Sequence, residues 1–276
     1  MALAPLVSGW IKIIKARLQN RRGPSLWQVY YDIGKLLRKD SVVSPTASWL
    51  FLCAPWLYFA TAAVAAALLP LVGTGGDLFS LLYILALGRL FLALASLDAG
   101  SAFGGMGGSR EMYIAVLVEP VLLLTLLTVA LKSGSTALGP MAGMVAEGDF
   151  SLAFLFAAIA FFLILIAETG RVPVDNPDTH LELTMIHEGM VLEYSGRFLA
   201  LIHLAASVKQ LVFLVLFSLL FLPLPAWGLA GIFLKVFMTA TVLALTETMT
   251  NKIRLFKVPG FLTAAGVLSL LALVAQ

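Results

Sequence analysis

"SLAFLFAAIAFFLILIAETGRVPVDNPDTH" spans residues 151–180. Residues 151–167 carry no charge, and then Glu168, Arg171, Asp175 and Asp178 follow in quick succession. A helix needs about 20 apolar residues to cross a hydrocarbon core of ~30 Å. Inside that core every backbone polar group has to be satisfied within the protein, which leaves helices and closed barrels. The stretch therefore reads as a membrane span that runs directly into a charged segment.

The pattern repeats outward in both directions. Apolar spans lie near 47–72, 79–97, 112–131, 150–167, 199–222, 227–246 and 258–275, separated by turns such as "GTGGD" (73–77) and "PLPAW" (223–227). Residues 1–14, "MALAPLVSGWIKII", form a shorter first helix, since Lys12 follows only eleven residues. No signal peptide is expected, because the first charge follows the apolar segment where a signal places it before. The expected fold is all-α: one polytopic membrane domain over 1–276, with seven full spans plus a short first helix, eight in all. Composition agrees. The chain is 61% hydrophobic and 12% charged, with a mean hydropathy of +0.99, against about 25% charged for a soluble domain.

Loop charge orients the bundle. The segments 12–39, 110, 171–197 and 252–257 hold 14 of the 18 Lys and Arg, the alternate loops hold only Lys132, and Arg89, Lys209 and Lys235 fall inside spans. The positive-inside rule assigns the rich loops to the cytoplasm. This predicts a multi-pass protein of the cell inner membrane with loops 12–40, 98–111, 168–197 and 248–257 on the cytoplasmic side. Loop 12–40 is basic and contains "LWQVYYDIGKLLRK" (26–39). There Trp27, Tyr30, Tyr31, Gly34 and Leu37 share one helical face and Gln28, Asp32, Lys35 and Lys39 the other. That pattern suits a helix lying in the headgroup layer. Loop 168–197 is acidic.

Charges at membrane depth are the sharper signal. Arg89, Lys209 and Lys235 are near mid-span, Glu119 is about eight residues into its span, and Glu168 and Glu247 close theirs. Each charge at bilayer depth costs roughly 2.5–3.5 kcal/mol on insertion scales, so it has to face a partner or water. An ion or proton route is one reading. A snorkelling lysine or an ion pair that only holds helices together is the other. Glu119 favours the route, because Pro120 removes a backbone hydrogen bond and makes room beside a carboxylate. The acidic loop also has two readings. If 178–195 is helical, Glu182 and Glu193 share a face and His180 and His187 another, leading protons toward the membrane. Otherwise it is a solvated loop.

Other chemistry is excluded. The one cysteine, Cys53, rules out a disulfide within the chain or a cysteine-ligated cluster built from it alone. The three histidines show no i,i+4 pair, so no metal or redox cofactor is expected in this chain. "HEGMV" (187–191) lacks the second histidine of a zinc-protease motif, and Pro177 breaks any calcium loop in "DNPDTHLELTMIHE". "GSAFGGMGGSR" (100–110) joins two spans and reads as a flexible, close-packed turn rather than a nucleotide loop.

Four blocks carry a resemblance: "RLQNRRGP" (17–24), "GSREMYIAVLVEP" (108–120), "AETGRVPVDNPDTHLEL" (167–183) and "EYSG" (193–196). In order and over nearly the whole chain they resemble the respiratory-chain NADH dehydrogenase subunit 1 family of complex I. That family's members join a peripheral redox arm to a proton-pumping membrane arm. The short first helix departs from the family pattern. Val174, Asn176, His180, Leu181 and the longer gap at 184–192 depart from its quinone-reducing branch. "PVDNPDTHLELTMIHEGMVLEYSG" is more similar to relatives in membrane-bound group 4 [NiFe] hydrogenases, such as formate hydrogenlyase.

The resemblance implies a non-catalytic subunit of an oxidoreductase complex, with no catalytic residue and no metal of its own. Ni-Fe and Fe-S centres are expected in partner subunits. Glu119, Glu168, Glu182 and Glu193 match acidic positions of the family's proton path, and Asp175 is expected on the same path. Arg171 and Asp175 match the loop beside the redox module. Arg17, Arg21 and Arg22 match the basic segment at the mouth of the quinone chamber and would help dock the peripheral arm. The implied partners are hydrogenase large and small subunits, antiporter-like membrane subunits and the lipid bilayer, with no nucleic acid. Three functions compete: an energy-coupling hydrogenase subunit, the quinone-binding subunit of a NADH:quinone oxidoreductase, and a stand-alone ion or solute transporter.

Overall fold

The protein's structure, a computed structural model, describes residues 1–71, 75–146, 151–176, 185–223 and 228–276. The helices are α1 (Ala4–Leu18), α2 (Gln28–Leu37), α3 (Trp49–Ala67), α4 (Leu78–Asp98), α5 (Ala102–Ser133), α6 (Leu138–Ala146), α7 (Leu152–Glu168), α8 (His187–Val191), α9 (Gly196–Leu220), α10 (Gly228–Met249) and α11 (Val258–Val274). Six are long and apolar enough to cross a membrane: α3, α4, α5, α9, α10 and α11 with the short turn Leu255–Lys257 before it. The 17-residue α7 and the 15-residue α1 complete the expected eight. The protein is an integral membrane helix bundle.

Its centre is α9, which packs against α1, α2, α3, α6, α7 and α10. Apolar residues surround α9 almost completely, as the sequence of a helix buried on all sides requires. At the α7–α9 seam the Phe161 ring sits 5.1 Å from Phe221 and 6.3 Å from Phe213, in tilted arrangements that aromatic quadrupoles favour.

The glycine-rich stretch 100–110 is helical from Ala102 onward rather than a turn throughout. α5 begins at Ala102 and runs for 32 residues, about 48 Å at ~1.5 Å rise per residue. The Ser101 side chain caps it, accepting from the Gly104 N–H at 3.0 Å. The close packing read from the glycines is present: α8 lies directly on α5. A Cβ at Gly107 would stand 2.8 Å from Met190 N and 2.9 Å from Gly189 C.

The loop 168–197 also differs from a plain solvated loop. Arg171, Val172, Val174, Asp175, Met185 and Ile186 are buried, so the described part of the segment folds inward among the helices. Irregular backbone at this depth is tolerated where protein covers it or where it lines a cavity. α8 covers only His187–Val191, so no continuous helix spans 185–195. "EYSG" pins this segment to its neighbours. Tyr194 stacks on Phe51 at 4.0 Å and donates to the Phe51 carbonyl at 3.0 Å. Burial, with a smaller effect of Asp98, raises the Tyr194 phenol above its ordinary value and keeps it a donor. Ser195 exchanges hydrogen bonds with Val42. Gly196 has φ +53, and a Cβ there would meet the Asp40 carbonyl oxygen at 2.5 Å.

In α2 the face that packs is not the aromatic one. Val29 and Ile33 pack with Leu36 against Ala200 and Leu204 of α9, while Trp27, Tyr31 and Leu37 point outward and are exposed. The helix is apolar on both of those sides, and α9 takes the branched aliphatic one.

Gly107→Ala should lower stability by roughly 1–3 kcal/mol, the usual cost of overpacking, because the atoms it meets are backbone and cannot swing aside. Gly143→Ala, which meets nothing within 4 Å, should change it by no more than about 1 kcal/mol. Thermal unfolding in detergent compares the two. Identical melting of the Gly107 variant and wild type would refute a tight α5–α8 contact.

Candidate functional site: a row of buried ion pairs beside a polar chamber

α4 supplies Arg89, α5 supplies Glu111 and Glu119, α7 ends at Glu168, and α9 carries Lys209 and Gln210. Arg89 and Lys209 clamp Glu168 from two sides. The Arg89 guanidinium donates through Nη2 to Glu168 Oε1, and Lys209 Nζ lies 2.7 Å from Oε2. The same guanidinium reaches Glu119 through Nη1 at 3.3 Å and Glu111 through Nε at 3.7 Å. Arg89, Glu168 and Lys209 are buried, whereas the Glu119 side chain is 47% exposed.

A second cluster adjoins the first through Gln210. Its Oε1 accepts from Arg171 at 3.2 Å and from Ser8 at 3.0 Å. Arg171 also pairs with Glu247 at 3.2 Å, and the other oxygen of Glu247 takes Lys15 at 2.8 Å. Glu119, Arg89, Glu168 and Lys209 thus lead to Gln210, Arg171, Glu247 and Lys15. Every described charge in this row has an opposite charge within 4 Å, which is what makes burial tolerable.

Asp175 does something different. Its carboxylate accepts from the backbone N–H groups of Asn176, Ile186 and His187 and from Lys252 Nζ, at 2.9 to 3.3 Å. It therefore ties the two flanks of 177–184 together and fastens them to the α10–α11 connection. The backbone bond from Ile253 N to Pro173 O at 2.9 Å reinforces this.

A cavity of about 660 Å³ opens at the Lys/Arg-rich end between α1, α2, α8 and α9. It mixes Lys12, Asp32, His187, Glu188 and His203 with aliphatic walls from Val29, Ile33 and Leu36. A smaller cavity of about 60 Å³ shares His187, Asp175 and Gln210 with it and reaches Glu168, Lys209 and Glu111. That volume has room for roughly four waters. Gln210 lines both, and its buried Nε2 has no hydrogen-bond partner among the described residues.

The sequence-derived residues divide accordingly. Glu119, Glu168, Arg89 and Lys209 come together, as do Arg171 and Glu247. Glu193 is exposed after α8 and stands apart from the row. Glu182 lies outside the described residues. Arg17, Arg21 and Arg22 are exposed at the chamber end. Lys235 stands apart as well: its Nζ donates to the Leu222 carbonyl at 2.9 Å, just past α9, where a cation suits a helix C-terminus. Sequence reading missed Glu111, Gln210, Lys15 as an ion-pair partner, and His203. Glu111 was hidden in a presumed loop. The adjacent pair Lys209–Gln210 was a readable signal of a polar patch in an apolar span.

Fold and site together define a polytopic membrane protein whose interior links a polar chamber to a carboxylate on the outer wall. Over residues 1–276 the sequence matches the NADH dehydrogenase family, and the chain belongs to that family. It is 40% identical over 230 residues to hydrogenase-4 component C of Escherichia coli (strain K12), covering 81% of this chain and 72% of that protein. Formate hydrogenlyase subunit 4 of the same organism is 38% identical over 235 residues, with 82% and 75% covered. A NADH-quinone oxidoreductase subunit of Thermomicrobium roseum is 33% identical over 242 residues, with 76% and 70% covered. The fold matches a chain of the membrane-bound sulfane sulfur reductase, an archaeal respiratory membrane complex, with a TM-score of 0.84 at 19% identity, over 99% of this chain and 94% of that one.

Arg89→Met should destabilise the protein by roughly 3–5 kcal/mol, because it leaves buried carboxylates short of a cation. Lys235→Met loses one hydrogen bond and should cost about 1 kcal/mol. Unfolding midpoints of both variants in the same detergent test this, and a Lys235 variant as damaged as the Arg89 variant would contradict the capping role.

Proposed function

We propose that this chain is the membrane subunit that anchors a peripheral [NiFe]-hydrogenase-type module and couples its electron transfer to translocation of protons or sodium ions. The observation that carries the proposal is the row of ionisable groups between the chamber and Glu119. His187 and Glu188 face the chamber, the ~60 Å³ cavity gives water access to Glu168, and Arg89 joins Glu168 to Glu119. Redox turnover at the chamber mouth moves or recharges the groups on α8, and a proton shifts along the row toward a neighbouring antiporter-like subunit. Asp175 sets the position of α8 in this scheme rather than carrying the proton. Arg17, Arg21 and Arg22 offer a basic rim to the peripheral arm. The Ni-Fe and Fe-S centres belong to partner subunits, the large and small hydrogenase subunits among them. The strong relatives in hydrogenase-4 and formate hydrogenlyase support this reading. The 14-to-1 bias of loop Lys and Arg favours a cytoplasmic position for the chamber end, in the cell inner membrane.

A second reading is that of a quinone-binding subunit. The chamber itself favours it, because about 660 Å³ with aliphatic walls lies in the size range of small-molecule sites.

Glu119→Gln keeps size and hydrogen bonding but carries no exchangeable acid proton, and it leaves Arg89 paired with Glu168. The variant complex should assemble and then either slow its redox reaction or run it without building a gradient. Hydrogen or quinone turnover measured beside vesicle acidification checks this. Wild-type values of both would reduce Glu119 to a structural carboxylate.

A further inference from the structure

Some cations of the Lys/Arg-rich end belong neither to the row nor to the chamber. A cleft of about 220 Å³ lies between the first third of α5 and the turn before α11, lined by Ser109, Arg110, Tyr113, Leu255 and Phe256. It shares no lining residue with the chamber. Arg254 and Lys257, both exposed, flank Leu255 and Phe256 in the chain. Phe256 is 96% exposed and Tyr113 55%.

Helix length sets the depth of this cleft. Arg110 stands 23 residues before Ser133, the last residue of α5, about 35 Å at ~1.5 Å rise per residue. The hydrocarbon core is ~30 Å thick. With the far end of α5 at one surface, Arg110 lies at the other, level with the headgroups, and Tyr113 lies almost one turn deeper. The span Leu255–Val274 starts at the same boundary.

Arg110 is held in place but not neutralised. Its Nη1 donates to the Met185 carbonyl at 3.0 Å, and its other nitrogens have no partner among the described residues. No described carboxylate lies within 4 Å of Arg110, Arg254 or Lys257. Glu111, next in the chain, turns inward to Arg89. Nε and Nη2 of Arg110 therefore remain as a side-by-side pair of donors, the arrangement that binds two oxygens of one phosphate. Beside them Phe256 and Leu255 offer an apolar wall at the level where hydrocarbon begins. The matching molecule carries an anion at one end and hydrocarbon at the other.

We propose that this cleft binds an anionic phospholipid of the phosphatidylglycerol class. The phosphate lies on Arg110, the Tyr113 hydroxyl donates to a glycerol ester oxygen, and an acyl chain runs along Leu255 and Phe256. Arg254 and Lys257 favour a headgroup of net negative charge over a zwitterionic one. The site is separate from the ion path, so its failure would leave the coupling role standing.

The test uses the intact complex, delipidated in neutral detergent and placed in phosphatidylcholine nanodiscs that contain photoactivatable phosphatidylglycerol. The expected result is labelling of the peptides that hold Tyr113 and Phe256, mapped by mass spectrometry. Unlabelled phosphatidylglycerol should suppress it, and inorganic phosphate should not. Arg254→Gln and Lys257→Gln, which disturb no described side-chain contact, should each raise the lipid concentration for half-maximal labelling roughly fivefold. Arg110→Gln should raise it further, and Arg110→Lys, which keeps the charge without the paired donors, should recover only part of the loss. Equal labelling by photoactivatable phosphatidylcholine, displacement by inorganic phosphate, or labelling unchanged in the Arg254 and Lys257 variants would each overturn the proposal. So would a photo-crosslinking amino acid at position 256 that captures another subunit instead of lipid.

Discussion

Glu168 held between Arg89 and Lys209 is the interaction on which the rest of the structure depends. Three helices, α4, α7 and α9, meet at that carboxylate, and none of the three charges is tolerable in the bilayer without the others. The pairing explains why α7 stops where it does: its last residue has to reach the clamp, and the chain beyond it turns inward toward Arg171 instead of leaving the bundle. It also explains why α9 is central, since α9 supplies both Lys209 for this cluster and Gln210 for the next.

Ion pairs of this kind hold helices together, but the arrangement here exceeds what stability asks. A single buried pair is at best neutral against an apolar core of the same volume. A row of shared pairs, with Arg89 reaching three carboxylates and a cavity with room for a few waters alongside, has several nearly equivalent ways to place its charge. Such a row responds to a charge change at one end by redistribution at the other, and this is the physical content of coupling between a redox module and an ion path. Asp175, which fixes α8 to the α10–α11 connection, makes the chamber end a defined element that a docked partner can push against.

Much of this was legible in the sequence. Hydropathy marked the spans because the bilayer imposes a length on them, and charges inside spans marked Arg89, Lys209, Glu119 and Glu168 because their burial is costly. What could not be read was which charges meet. Arg89 and Glu168 are 79 residues apart, and no local pattern encodes such a pairing. A local rule misled at the glycines of 100–110, which read as a turn, although in a membrane bundle small residues serve close helix contact. Lys235 had two readings, an ion route or a lysine reaching a polar end, and its hydrogen bond to the Leu222 carbonyl just past α9 fits the second. Glu193 matched an acidic motif, yet Tyr194, Ser195 and Gly196 are the structurally engaged members of "EYSG", and the carboxylate faces outward.

The central claim is that a proton resides transiently on the carboxylates of this row while the redox module turns over. Infrared difference spectroscopy of the intact complex, turnover minus resting state, reads it directly. The account predicts a protonated-carboxyl stretching band that forms during turnover, shifts in heavy water and disappears in the Glu119→Gln complex. A difference spectrum without such a band, or one whose band is unchanged in the variant, would contradict it.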